Sequence, residues 1–308
     1  MQFFAEVLTG GLLSGLLYAL VALGFVLIYK ASGVFNFAQG AMVFFAALTY
    51  VGCLEKLPRW TGLAADSVLL VWLALLLALA AMLLLALAIE RLVLRPLVNQ
   101  PPQTLFMATI GLAYFIEGLA QGVWGANVRG LELGIQDVPM DWVLDHTGMI
   151  VSRFDLFAAG VAATLVTGLA LFFRHSRVGR ALRAVADDHQ AALSVGIPLA
   201  TIWRIVWAIA GFVALVSGLI WGARNGVQFA LTYTALKALP VLILGGFESV
   251  PGAIVGGLIV GASEKLAEVY IGPWVGGGVE SWFPYMLALL FLLIRPEGLF
   301  GEKHMDRV

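Results

Sequence analysis

Arg174–Trp203 reads RHSRVGRALRAVADDHQAALSVGIPLATIW, a charged island in a chain that is 61% hydrophobic and 12% charged. Leu, Ala, Val, Ile and Phe dominate the stretches on either side, which are long enough to cross a bilayer. Arg174, Arg177, Arg180 and Arg183 cannot lie in hydrocarbon without a large cost, so the island sits outside it, on the side that favours arginine. The residues after the arginines have helical periodicity, and Gly196-Ile197-Pro198 supplies a stop. An ordered helix held beside a membrane presents itself to a partner.

The charged fraction is about half that of a soluble domain, and net charge is −1, which offers no basic surface for nucleic acid. A single cysteine, Cys53, excludes an internal disulfide and a cysteine metal cluster, and its apolar surroundings fit packing. His146, His175, His189 and His304 are scattered and form no ligand motif. The start, MQFFAEVLTGG, lacks a basic n-region and a small-residue cleavage pattern, so it reads as the approach to a first span.

With about 20 apolar residues needed per crossing, the candidates are 8–29, 37–54, 68–90, 104–123, 154–173, 202–222, 229–245, 252–270 and 282–294. The expected fold is therefore an all-α polytopic integral membrane helix bundle with about 8–9 transmembrane or re-entrant helices. One domain spans 1–308, with an outer loop at 124–153 and the polar segment at 174–203. The break at Gly245–Gly252 would let spans seven and eight form a tight hairpin, and the last span is brief.

Placing the island in the cytoplasm gives that side Lys30, Arg91, Arg95, Arg174, Arg177, Arg180, Arg183, Arg204, Arg295, Lys303 and Arg307. The outer side receives Lys56, Arg59, Arg129, Arg153 and Arg224, so eleven basic residues face in and five face out. That sign fits the positive-inside rule and puts the N-terminus outside and the C-terminus in the cytoplasm. In the outer segment, Trp124 and Trp142 read as interfacial anchors. Gly11/Gly15, Gly118/Gly122, Gly252/Gly256 and Gly257/Gly261 each place small faces one turn apart, which implies a tightly packed bundle.

Three groups of residues bear on function. In Ser32–Gly40, SGVFNFAQG, two glycines and Asn36 break the helical run; Asn36 and Gln39 either cap the break locally or touch a polar solute. Glu117 and Lys237 are charges inside candidate spans four and seven, and each needs a partner, water or a route to the interface. Paired together they would line a translocation path for a zwitterionic solute. Glu264, Lys265 and Glu268 read as the wet outer end of span eight. In the island, Ala184, Asp187, Asp188 and Ala191 fall at helical spacings, and Ala192 and Val195 widen a small apolar face that fits a groove on a soluble partner. Arg295-Pro296-Glu297-Gly298 reads as a membrane stop anchored by arginine.

The island resembles the cytoplasmic coupling motif of ATP-binding-cassette permeases, a Glu-Ala-Ala run followed by Gly: here Asp187-Asp188 precede Ala191-Ala192, and Gly196 follows. Together with the opening GLLSGLLYALVALGFVLIYKASGVFNFAQG (11–40) and the ending LLIRPEGLFG (292–301), it makes the whole chain similar to the branched-chain amino acid permease family of such importers. The resemblance implies a multi-pass protein of the bacterial inner membrane that pairs with a second, related permease, a heterodimer rather than two copies. Two ATPase subunits would drive the pair, with ATP and magnesium bound there and no cofactor in this chain, and a periplasmic binding protein would deliver substrate. Arg183, Ala184, Asp187, Asp188, Ala191, Ala192, Gly196 and Pro198 would then dock the ATPase. Relatives that carry urea or short amides keep a second cargo class open.

An enzyme is not indicated: no HExxH, GxSxG or GxxxxGK[ST] occurs, so energy must come from a partner or an ion gradient. An ion-coupled secondary transporter would need an internal inversion and an ion-binding cluster. Residues 24–42 and 239–257 share an apolar run, a glycine-containing polar break and then small residues, a faint sign of such a repeat. A structural membrane subunit would lack a polar cavity between Asn36 and Lys237.

Overall fold

The computed structural model describes residues 2–62, 64, 67–97, 100–187 and 189–301. Among the described residues, seven helices are long and apolar enough to cross a membrane. They are α1 (Gln2–Ser32), α2 (Gln39–Thr61), α3 (Val68–Ala88), α4 (Pro102–Trp124), α6 (Arg153–His175), α9 (Leu199–Asn225) and α12 (Val250–Tyr270). Shorter helices lie between and after them: α5 (Asp141–Thr147), α7 (Arg177–Asp187), α8 (His189–Ser194), α10 (Leu231–Leu236), α11 (Ala238–Gly245), α13 (Gly272–Val275) and α14 (Phe283–Ile294). A π turn, Ile89–Leu94, and a 3-10 turn, Arg95–Leu97, prolong α3. The chain is a polytopic helical bundle, and no strand occurs among the described residues.

Two expectations change. The first helix begins at Gln2, well before residue 8. Candidate span seven is two helices that together reach Leu231–Gly245, about 22 Å of rise against a hydrocarbon core near 30 Å. In the island, Arg177–Asp187 (α7) and His189–Ser194 (α8) are helical, and Asp188 lies outside the described residues.

The chain forms two compact units. The first comprises Met1–Val26, Gly134–His175 and Lys237–Val308. Here α1 crosses α12 through glycines. A Cβ on Gly11 would lie 2.7 Å from the Gly261 carbonyl oxygen, and one on Gly15 would lie 2.5 Å from that of Gly257. This pairing order makes the helices antiparallel, and bare backbone faces bring them close where lipid gives no hydrophobic drive. Helix α11 packs on α12 and α14. Gly256 of α12 meets the Val241 carbonyl in the same way, so three of the four glycine pairs mark tight crossings. The C-terminal stretch returns to α11: Leu299 N–H donates to Leu244 O (2.8 Å) and Phe300 N–H to Gly245 O (3.2 Å). The residues after Arg295 thus cap carbonyls at a helix end, beyond stopping the last span.

The second unit comprises Leu27–Leu133 and Ser176–Leu236. Helix α2 is its centre, packed against α3, α4, α9 and α10 and buried continuously from Gln39 to Cys53. Small residues allow that crowding: a Cβ on Gly218 of α9 would lie 2.5 Å from Val43 O, and one on Gly40 would lie 2.5 Å from Thr232 O of α10. Helix α3 buries one stripe, Leu70, Ala74, Ala78, Met82 and Ala86, at four-residue spacing. Leu69, Trp72, Leu76 and Leu84 are exposed. A helix apolar all round with one packed stripe belongs at the lipid boundary.

Candidate functional site

The charge inside the first unit is a small network. Lys237, the joint between α10 and α11, donates from Nζ to Glu264 Oε1 at 2.9 Å. The Tyr18 hydroxyl donates to the same oxygen at 3.1 Å and receives a longer contact from Lys237 Nζ at 3.5 Å. The ammonium also lies 5.8 Å from the Tyr18 ring centre, within cation–π range. Glu264 is 1% exposed, and its second oxygen, Oε2, is buried without a hydrogen-bond partner. The Lys237 side chain retains 24% of its surface.

The fold explains why these three groups meet. Side chains on a helix lean toward its N-terminus. In an antiparallel pair, Tyr18 therefore leans back over Gly15 and Glu264 back over Gly261, toward each other across the glycine crossing. Lys237 reaches them from the helix break. Two of the three were missed at the level of sequence. By sequence Glu264 reads with Lys265 and Glu268 as a wet helix end, and Tyr18 is one aromatic in a long apolar run. A signal existed: Gly257, Gly261 and Glu264 lie on one helical face, as do Gly11, Gly15 and Tyr18. Lys265 and Glu268 do serve the periphery. Lys265 pairs with Glu280 at 3.0 Å, and Glu268 accepts from the N–H groups of Gly278 (3.1 Å) and Glu280 (2.8 Å).

Lys237 is committed to Glu264 within the first unit, and in the second unit Glu117 on α4 faces the Thr232 side chain of α10. Asn36 and Gln39 are fully buried in the second unit. Asn36 Oδ1 accepts from Ala38 N–H at 3.1 Å, and its amide reaches Gln39 Oε1 at 3.3 Å. The Thr109 hydroxyl of α4 donates to Phe35 O and accepts from Phe37 N–H. The break before α2 is therefore stitched internally, while the Gln39 side-chain nitrogen has no partner. Trp124 packs inside the second unit: its ring lies on Gly52, its N–H donates to Thr49 at 3.1 Å, and Lys56 sits over it. Trp142 is exposed and stacks on His146.

In the island, the Ser176 hydroxyl caps α7 by accepting from Gly179 N–H at 2.9 Å. Leu182 and Val185 turn inward, and Arg177, Arg180 and Arg183 are exposed. Ala184 is half-buried, and Asp187 ends α7. On α8, Ala191 is exposed, whereas Ala192 is 3% exposed and faces in. Leu193 and Val195 are 53% and 74% exposed, so the outward apolar surface is larger in side chain than the small face expected. Gly196, at φ +83°, ends the helix, with Ile197 N–H reaching back to Ala192 O at 3.0 Å. Pro198 then leads into α9.

The family described as branched-chain amino acid transport system, permease component, matches residues 7–295. The chain is 28% identical over 324 residues to the Escherichia coli K12 high-affinity branched-chain amino acid transport system permease protein LivH, covering 99% of this chain and 98% of that one. It is 29% identical over 316 residues to the corresponding Pseudomonas aeruginosa protein BraD, at the same coverage. A probable permease protein LivH of Methanocaldococcus jannaschii is 27% identical over 307 residues, covering 96% of this chain and 92% of that one. Among solved structures, PsaBC from Streptococcus pneumoniae in complex with Fab is similar at a TM-score of 0.46 and 15% identity, covering 94% of this chain and 90% of that one.

Proposed function

Because the chain belongs to the family of permease components of branched-chain amino acid transport systems, we propose that it is a membrane-spanning subunit of an ATP-driven importer of branched-chain amino acids. A binding protein outside the inner membrane delivers the substrate, and two ATPase subunits on the cytoplasmic side supply the work. The chain has no phosphate-binding GxxxxGK[ST] sequence of its own. A second, related permease completes the path.

The observation that carries the ATP-driven reading is the α7–α8 element between the long helices α6 and α9. It is fixed from within by Leu182, Val185 and Ala192, and it exposes Leu193, Val195 and the arginines. Held on α9, it has a rigid route inward: the Trp203 indole donates to Ala31 O at 2.9 Å, just before the break that precedes α2. Movement of α7–α8 by a closing ATPase would shift α9 and, through Trp203, the Gly33–Ala38 loop.

Val195→Arg puts a charge on the exposed apolar edge without touching the buried face. It should lower uptake of labelled leucine by about tenfold at normal membrane abundance, through weaker ATPase association. Normal ATPase co-purification together with normal uptake would remove α8 from the docking role.

A further inference from the structure

The Lys237–Glu264 network has an unfinished set of hydrogen bonds. Glu264 Oε1 takes both donors, from Lys237 and Tyr18, while Oε2 has none and is closed to solvent. A buried carboxylate oxygen without a donor is expensive, so its retention calls for a reason. Lys237 is complementary: of its three N–H donors, one goes to Glu264 and one points at Tyr18, and its side chain remains partly accessible. One open acceptor beside one open donor is the mirror image of a zwitterion.

Resting on the reading of the chain as an amino acid permease, we infer that Lys237 and Glu264 form an exchangeable counter-pair that recognises the charged ends of an α-amino acid. The substrate ammonium fills Oε2 of Glu264, the substrate carboxylate takes Lys237, and Tyr18 holds Oε1 throughout. Charge balance favours this over other solutes. A single ion entering the membrane interior carries a large desolvation cost. A zwitterion exchanged into an existing ion pair leaves every charge with an opposite neighbour and the net charge at zero. Access begins at Lys237, the exposed member, and Oε2 becomes available as the amine draws away from Oε1. An uncharged amide of the same skeleton cannot perform the exchange, because it offers no charge to replace either partner. The helix break suits the role: Lys237 is a one-residue joint, so its side chain can move without disturbing a continuous helix.

The test uses the assembled transporter in its native membrane. In wild-type protein, L-leucine should slow modification of Lys237 by an amine-reactive reagent several-fold, read on the Lys237 peptide by mass spectrometry, and 4-methylpentanamide should not. Equal protection by both compounds, or protection by neither, overturns the proposal and leaves the pair as a structural or water-filled contact. In parallel, Lys237→Met/Glu264→Gln removes both charges while keeping side-chain size. Its leucine uptake should fall by about tenfold or more at wild-type membrane abundance. Uptake equal to wild type overturns the proposal; if the double variant fails to assemble, the labelling result on wild-type protein decides. Absence of leucine uptake by wild-type protein would be a different failure, that of the amino acid permease reading itself.

Discussion

Glu264 and Lys237 bear on stability apart from any ligand. Removing one member of a buried pair strands the other charge, which costs about 3–5 kcal/mol, whereas neutralising both is far milder. Because Lys237 keeps 24% of its side-chain surface, the lower end of that range applies. Glu264→Gln alone should therefore lower the thermal midpoint of the purified chain more than Lys237→Met/Glu264→Gln does. A double variant less stable than the single one would contradict the pairing. At this scale the sequence was half legible. Lys237 stood out as a cation in an apolar run, but Glu264 was hidden by Lys265 and Glu268, charged neighbours whose side chains tie the 276–281 loop. Helical phase separates them, and composition does not show phase. Asn36 shows the converse, since a polar residue at a helix break is first consumed by the break.

Glycine pairs decide how helices meet, and the same motif has opposite meanings in α1 and α4. A Cβ on Gly15 would lie 2.5 Å from the Gly257 carbonyl oxygen, whereas Gly118 and Gly122 have nothing within 4 Å of theirs. Gly15→Ala should destabilise the chain by about 1–3 kcal/mol through overpacking. Gly118→Ala should be neutral or stabilising by up to about 1 kcal/mol, from helix propensity alone. Detergent thermal denaturation of the isolated chain separates the two; equal effects would mean that α1 and α12 do not cross through their glycines. The four motifs were visible in sequence, but which of them met a neighbour was not. The two sequence breaks likewise share local construction. Gly33 (φ +68°) and Gly246 (φ +102°) end their helices, and three residues later Asn36 and Ser249 accept N–H groups from Ala38 and Gly252. The break at 245–252 was thus legible as a hairpin. The length of its arms was not, because Lys237 splits the first arm and α12 runs a full 21 residues.

For the molecule as a whole, hydropathy gave the class of fold, and charge asymmetry gave an orientation. The excess of basic residues expected on one side predicts an N-terminus outside and a C-terminus in the cytoplasm. A C-terminal green fluorescent protein fusion should therefore fluoresce, and a C-terminal alkaline phosphatase fusion should be inactive; the reverse result would invert the assignment and detach α7–α8 from any cytoplasmic ATPase. The organisation into units was not readable from the chain. Each unit gathers segments distant in sequence, and α1 and the α10–α11 joint each straddle the boundary. Periodicity reports the environment of a helix one turn at a time and carries nothing about such long-range partition. Span counting met a related limit, since a stretch of apolar residues looks the same whether it runs through or stops at a joint.

Cys53 lies buried in α2, 9% exposed, and is the chain's single thiol. Maleimide dyes and spin labels therefore meet little competition from the native protein. A thiol introduced on α8 or in the 124–153 segment would carry nearly all of the signal, so distances across the transport cycle become measurable without first stripping the background.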